Sequence, residues 1–198
     1  VSITNGYATL AELKAALRIT DYIDDAALER AVEGASRRID GVCDRRFYLD
    51  GTATARTYYA TSAWRCDVDD IGTTTGLVVK TDEDGSGTYA TTWTASDYEL
   101  GPLNNIVKGA PIHIITGVGL MFPTHTRPAP VQVTAKWGWP SVPHAIREAT
   151  ILLAGRMFKR TDSLLGVAGG AGDFVVPVMR FDSDIEELVA PYVRRRLA

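Results

Sequence analysis

The feature that most restricts the fold of this chain is a hydrophobic period that switches twice. Between Asp24 and Arg46 the apolar residues Leu28, Ala31, Val32, Ala35, Ile39, Val42 and Cys43 recur at intervals of three and four, the spacing of one helix face. From about Asp50 that spacing stops. Thr, Tyr, Val and Trp become dense, Gly and Pro interrupt them, and Val131, Val133, Ala135 and Trp137 alternate with polar residues as on a half-buried strand. Pro140 and Pro143 close the block, and Ile146, Ala149, Leu153 and Met157 restore the helical interval. A period of two and a period of 3.6 cannot share one element, so the expected class is α+β: a small helical bundle core with an inserted antiparallel β-rich subdomain.

Four helices are predicted, near 9–18, 24–46, 143–160 and 183–193. Thr9 and Glu12 have capping-box spacing for the first, with Leu10, Leu13, Ala16 and Leu17 behind them, and Asp24 or Asp25 can cap the second. Arg37, Arg38, Arg45 and Arg46 read as a solvated face late in that helix, where cations suit its C-terminal partial charge. The strands expected are Arg56 to Thr61, Leu77 to Thr81, Tyr89 to Thr94, Ile112 to Ile115 and Val131 to Trp137, with Asp84-Gly85 as a hairpin turn. The third helix is apolar on a second side, at Ile151, Leu152 and Phe158, which suggests cover by a neighbouring subunit. Residues 161–180, with Gly166, Gly169, Gly170 and Gly172, read as a flexible loop. The domain plan is a core of 1–50 and 143–198, with 51–142 inserted into it.

Charge narrows the function classes. The 21 basic and 24 acidic side chains give a net charge of −3 and divide as 7 and 9 over residues 1–50, 6 and 8 over 51–142, and 8 and 7 over 143–198. No segment has the concentrated basic face that phosphate neutralisation demands. No apolar run reaches the roughly 18 residues of a membrane span, and the first ten residues lack the pattern of a secretory signal, so the expected site of synthesis is the cytosol. Cys43 and Cys66 read as reduced thiols rather than a disulfide or zinc site.

Motifs for chemistry are incomplete. Asp82, Asp84 and Gly85 resemble the start of a calcium loop, but Trp93 stands where its bidentate Glu belongs, and a hairpin turn is the plainer reading. Asp67, Asp69 and Asp70 read as a solvated acidic loop with cation binding as the lesser alternative. His113, His125 and His144 lie in no nucleophile-elbow, zincin or papain-like setting, and the glycines of 166–172 lack a Gly-Lys-Ser/Thr ending. Trp64, Trp93, Trp137 and Trp139 can be read as an aromatic sugar platform or as the filling of a sheet core.

Four separated segments taken together carry a resemblance: Tyr7 to Ile19 (YATLAELKAALRI), Asp24 to Phe47 with its closing Cys-Asp-Arg-Arg-Phe, Val142 to Arg160 (VPHAIREATILLAGRMFKR) and Asp182 to Arg196 (DSDIEELVAPYVRRR). In this order they resemble the head-tail connector, or head-completion and adaptor, proteins of long-tailed bacteriophages. Residues 77–100 and Val131 to Trp139 look like the β insertion of longer members. The resemblance implies a structural virion protein of the phage neck, made in the host bacterial cytoplasm, without catalysis, cofactor or metal. It implies a dodecameric ring beneath the portal that extends the channel for passing genomic DNA and meets the next neck protein, a stopper or tail terminator. On this reading Ile185, Leu188, Val189, Tyr192, Arg194, Arg195 and Arg196 contact the portal. Leu164, Leu165, Phe174, Val175 and Arg180 contact the channel or next ring, and Ile151, Leu152 and Phe158 pack subunit on subunit. The alternatives are a β-insert module that binds a glycan or another virion component and, more weakly, a small hydrolase.

Overall fold

The computed structural model describes residues 3–125, 128–165 and 183–194, of which 161–165 are described as backbone only. The chain forms two compact units, one from Val1–Arg46 with Val142–Ala198 and the other from Phe47–Ser141.

In the helical unit α1 (Leu10–Leu17) begins at the predicted capping box. The Thr9 hydroxyl accepts the Glu12 amide at 3.2 Å, and the Glu12 carboxylate accepts the Thr9 amide at 2.7 Å. That amide holds the Glu12 carboxyl below its usual range. α2 (Asp25–Cys43) buries Leu28, Ala31, Val32, Ala35, Ile39 and Cys43 of its predicted stripe, whereas Val42 is exposed. It stops three residues short of Arg46, because Asp44 turns left-handed at φ 51° and its amide closes back on the Asp40 carbonyl. Arg45 and Arg46 therefore lie beyond the helix end rather than on its last turn. Arg37 reaches the Asn5 carbonyl at 2.8 Å and stacks on the Tyr7 ring, and the Tyr7 hydroxyl donates to Asp40, so this face secures the segment before α1.

α3 (His144–Leu165) is the hub and packs on α1, α2 and α4 (Ser183–Val189), the last followed by a 3₁₀ turn, η1 (Ala190–Tyr192). Ile146, Ala149, Leu153 and Ala154 are buried along it. Glycines lie at the helix contacts: a Cβ on Gly34 of α2 would stand 2.9 Å from the Met157 methyl, and one on Gly155 would stand 3.3 Å from a Leu17 methyl of α1. The helix runs five residues past its expected end at Arg160, so Leu164 and Leu165 belong to α3 and not to a loop.

The second unit is one antiparallel sheet of β1 (Thr54–Tyr58), β2 (Arg65–Thr81), β3 (Thr91–Trp93), β4 (Tyr98–Gly101), β5 (Ile112–Gly117) and β6 (Val131–Trp137), in the order β1-β6-β2-β5-β4 with β3 also on β2. β2 is longer than expected: the predicted strand at Leu77 is its second half. Its first half pairs with β5 and its second half with β6 and β3, with register shifts near Ile71 and Thr73 where the partners change. β6 alternates as predicted, with Val131, Val133, Ala135 and Trp137 buried. β4 had no clear sequence signal.

Asp67, Asp69 and Asp70 sit in β2 and not in a solvated loop. Asp67 accepts from Arg65 and Thr61, Asp69 from Arg56 at 2.7 Å and Tyr58 at 3.0 Å, and buried Asp70 from the Trp139 indole at 3.3 Å. The β2–β3 connection contains the predicted Asp84-Gly85 turn, but a larger one than a two-residue hairpin. The buried Asp82 carboxylate accepts the amides of Gly85, Ser86 and Gly87 at 3.0, 3.2 and 2.8 Å, so three backbone donors converge on it.

Where the chain leaves and re-enters the sheet, Leu49 bridges Gly138 and the Asp50 amide donates to the Trp137 carbonyl at 2.8 Å. Gly138 has φ +110°, and a Cβ there would fall 1.8 Å from the Tyr48 carbonyl oxygen. Gly138→Ala should therefore cost at least about 2 kcal/mol, the scale of a strained backbone residue, measured as a lower urea midpoint for the loss of Trp fluorescence from the sheet. An unchanged midpoint would show that this approach is not required.

Candidate functional site

The surfaces that a partner can reach are built by what each helix leaves uncovered. Among the residues expected to meet a portal, Ile185 and Val189 are 1% and 2% exposed and pack within the helical unit, where α4 lies on α3. Leu188 and Tyr192 are half-buried, and the Arg194 amide donates to the Cys43 carbonyl at 2.9 Å, tying η1 to the end of α2. The α4–η1 segment thus presents Leu188, Tyr192 and Arg194 on a base formed by Ile185 and Val189. Arg195 and Arg196 lie outside the described residues, as do Phe174, Val175, Arg180 and the glycines at 166, 169, 170 and 172.

On α3, Ile151 and Phe158 share one stripe and are half-buried, and Leu152 is 41% exposed on the adjacent stripe. A surface not expected from sequence is the α1–α2 turn, where Tyr22 and Ile23 are 81% and 88% exposed. Its signal was present: a Tyr-Ile pair between Asp21 and Asp24 that fits neither flanking helix stripe.

The sheet has an apolar rim. The Gly117 amide donates to the Trp64 carbonyl at 2.9 Å, the Phe122 amide to the Ala63 carbonyl at 2.7 Å, and the Val118 amide to the Asp97 carbonyl at 2.7 Å. These bonds gather exposed Trp64, Val118, Leu120 and Met121 at one end, anchored below by the Trp93–Phe122 stack at 4.4 Å. Trp93, Trp137 and Trp139 are buried, so the four tryptophans form no common sugar platform; three fill the unit and one is outside. Trp93 donates to Thr81 and Trp137 to the Thr54 carbonyl, which satisfies their indoles inside.

No catalytic constellation assembles among the described residues. His113 faces Asp67, His125 lies 3.9 Å from Asp82, and His144 pairs with Glu148 at 3.7 Å on an exposed turn of α3. No group of three or more His, Cys, Asp or Glu is placed to hold a metal ion among the described residues. No described helix is long and apolar enough to cross a membrane.

The architecture itself is the more informative match. No protein-family model matches the chain, and no curated protein matches its sequence. Solved structures do: one chain in the neck of the empty GTA particle computed with C6 symmetry aligns at TM-score 0.59 and 20% identity, and one in the neck of the native GTA particle computed with C12 symmetry at 0.56 and 18%. A chain in the virion of the native gene transfer agent particle aligns at 0.54 and 21%. The alignments cover 100% of this chain and 95%, 94% and 95% of the others. The fold is that of chains in a particle neck. It extends over both units, so the β insertion belongs to the shared architecture as much as the helices do.

The thiols give a direct check on the inert reading of the interior. Burial pushes Cys43 up to about 11 and Cys66 up to about 12, from an ordinary value near 9, because a thiolate in either place would lose its water. Neither should react with Ellman's reagent at pH 8 until the protein is unfolded. As pH rises past 9, the unfolded chain ionises its thiols while the folded one keeps them protonated, so stability should fall between pH 9 and 11. Rapid labelling of either thiol in the folded protein would contradict this.

Proposed function

We propose that the protein is a structural component of a phage-like neck, assembled as a closed ring under the portal and joining head to tail around the DNA channel. The observation that carries this reading is the end-to-end fold likeness to chains in neck structures computed with C6 and C12 symmetry. Three physical features support it. Exposed apolar residues stand on both units, at Ile23, Leu152, Trp64 and Met121, as expected of a subunit completed by assembly. Among the described residues, Asp67, Asp69, Asp70 and Asp82 accept hydrogen bonds within their own unit. The net charge of −3 suits a wall past which DNA slides without multiple phosphate contacts.

Within this reading the portal contact is the half-buried side of α4 and η1, at Leu188, Tyr192 and Arg194, continued by Arg195 and Arg196. Ile185 and Val189 serve it indirectly by holding α4 to its unit. Leu164, Leu165, Phe174, Val175 and Arg180 are assigned to the channel or the next neck protein, and Ile151, Leu152 and Phe158 to contact between subunits.

Mass measurement of the purified chain with and without a purified portal ring tests the assignment. A discrete multi-copy complex is expected, and persistence of monomer beside a folded, matching portal would refute it. Tyr192→Ala with Arg194→Glu should weaken the complex by roughly tenfold or more, the scale of losing an aromatic anchor and reversing one charge, without lowering the thermal midpoint much. Deleting the whole segment from Ser183 would be a poorer probe, since it uncovers the α3 core that Ile185 and Val189 fill.

A further inference from the structure

Three asparagines occur in the chain, Asn5, Asn104 and Asn105, and only Asn5 is followed by glycine. An asparagine carboxamide lies where the amide nitrogen of the next residue can close a five-membered ring on it, and a side chain on that next residue obstructs the approach. The structure separates the three. Asn5 is exposed at φ 55°, and among the described residues neither its carboxamide nor the Gly6 amide has a hydrogen-bond partner. Asn104 is exposed at φ 63°, but the Asn105 amide that would attack it donates to the Pro102 carbonyl at 3.3 Å. The Asn105 carboxamide donates to the Pro111 carbonyl at 2.9 Å, and β-branched Ile106 follows it.

The Asn5-Gly6 step also adjoins a fixed part of the helical unit. The Tyr7 amide donates to Ser36 Oγ at 3.1 Å, the Tyr7 ring lies beside the Arg37 guanidinium, and the Tyr7 hydroxyl donates to Asp40. Arg37 reaches back to the Asn5 main-chain carbonyl at 2.8 Å. Between these attachments Gly6 packs on α2, where a Cβ would stand 3.3 Å from Val32. The backbone from Asn5 to Tyr7 is therefore held to α2 at both ends, and it fits only while its length stays the same.

We propose that Asn5 and Gly6 form a self-modifying site, which loses ammonia and takes up water to become an isoaspartyl linkage that releases Tyr7 from α2. The Gly6 amide gives its proton to solvent hydroxide, and its nitrogen bonds to Asn5 Cγ. The Cγ–Nδ2 bond breaks, and Nδ2 leaves as ammonia with a proton from water. A second water adds at the Asn5 main-chain carbonyl carbon and breaks its bond to the Gly6 nitrogen, which takes up a proton. That carbon becomes a carboxylate off the main chain, and the chain continues through Cβ and Cγ. No electrons are transferred. One more main-chain atom then separates the Asn5 Cα from the Gly6 nitrogen. Arg37 now faces a carboxylate, and a bond between two charged groups is stronger than the neutral bond from the Tyr7 amide to Ser36. The Tyr7 attachment is the one that yields.

The test keeps the full chain in warm, mildly alkaline buffer and follows conversion by peptide mass mapping and by enzymatic methylation of isoaspartyl groups. Position 5 is expected to convert about tenfold faster than Asn104 or Asn105, since glycine puts no side chain in the path of attack. Its rate should lie close to that of the urea-unfolded chain. Hydrogen exchange of the Tyr7 amide should quicken in the converted fraction. Asn5→Gly suits the same left-handed backbone and should stay unconverted with the parent exchange rate. Freshly prepared Asn5→Asp adds the charge without the extra main-chain atom and should also keep it. Conversion of Asn104 or Asn105 ahead of Asn5 overturns the inference, as does a folded rate roughly tenfold or more below the unfolded one, the mark of a protected site. Unchanged Tyr7 exchange in the converted chain, or equal quickening in Asn5→Asp, overturns the release by a lengthened backbone.

Discussion

Everything in the β unit depends on bringing its two ends back together. The helical unit is made from residues before Arg46 and after Val142, so the 95 residues from Phe47 to Ser141 must start and finish at one place. The clasp that does this is small: the Leu49–Gly138 bridge, the Asp50 amide on the Trp137 carbonyl, and the Phe47 and Trp139 rings with centres 5.1 Å apart. Backbone hydrogen bonds set the register, and the aromatic contact removes it from water, where each bond alone would be worth only about 1 kcal/mol. Gly138 is the residue that lets the two backbones meet, since any side chain there would strike the Tyr48 carbonyl.

From that clasp the sheet is organised by β2, which no neighbour spans alone. Its first half belongs to β5 and its second to β6 and β3, and the irregular stretch between them takes up the change of partner. The carboxylates along this strand accept hydrogen bonds from fixed donors. Asp70 has the Trp139 indole, Asp69 has Arg56 and Tyr58, and Asp82 at its end has three backbone amides. Carboxylates that look like metal ligands in one dimension thus act as struts, because a buried anion is tolerated only with donors aimed at it. The helical unit follows a simpler rule: apolar stripes on α2, α3 and α4 meet, and Gly34 and Gly155 lie where Met157 and Leu17 of the neighbouring helices pack.

The outer surface keeps several large apolar side chains in water. A monomer gains nothing from the exposure of Ile23, Leu152, Trp64 or Met121, and each sits on a segment fixed by hydrogen bonds or packing rather than on a loose end. Exposed apolar groups of this kind are what the proposed neck assembly would cover. The buried pair Ile185 and Val189 shows the converse. They lie on the same short helix as Leu188 and hold it to its unit, while Leu188 on its other side is half-buried.

The sequence by itself determined the elements with strong local signals. The Thr9–Glu12 box placed α1, the three-and-four spacing placed α2 and α3, and the alternation from Val131 to Trp137 placed β6 and its inward face. Local rules suffice there because capping and amphipathic burial involve residues a few positions apart. It also suggested a phage neck protein, and the fold likeness to chains in particle necks agrees with that coarser reading. Only the tertiary structure decided the rest. The left-handed Asp44 ended α2 early, β2 absorbed a stretch that read as acidic loop, and β4 formed on four residues because β5 was there to pair with it. Which apolar residues remained outside was likewise a tertiary matter. Tyr22, Leu152 and Trp64 have the same hydrophobicity as residues in the core, and their exposure follows from where other elements stop covering them.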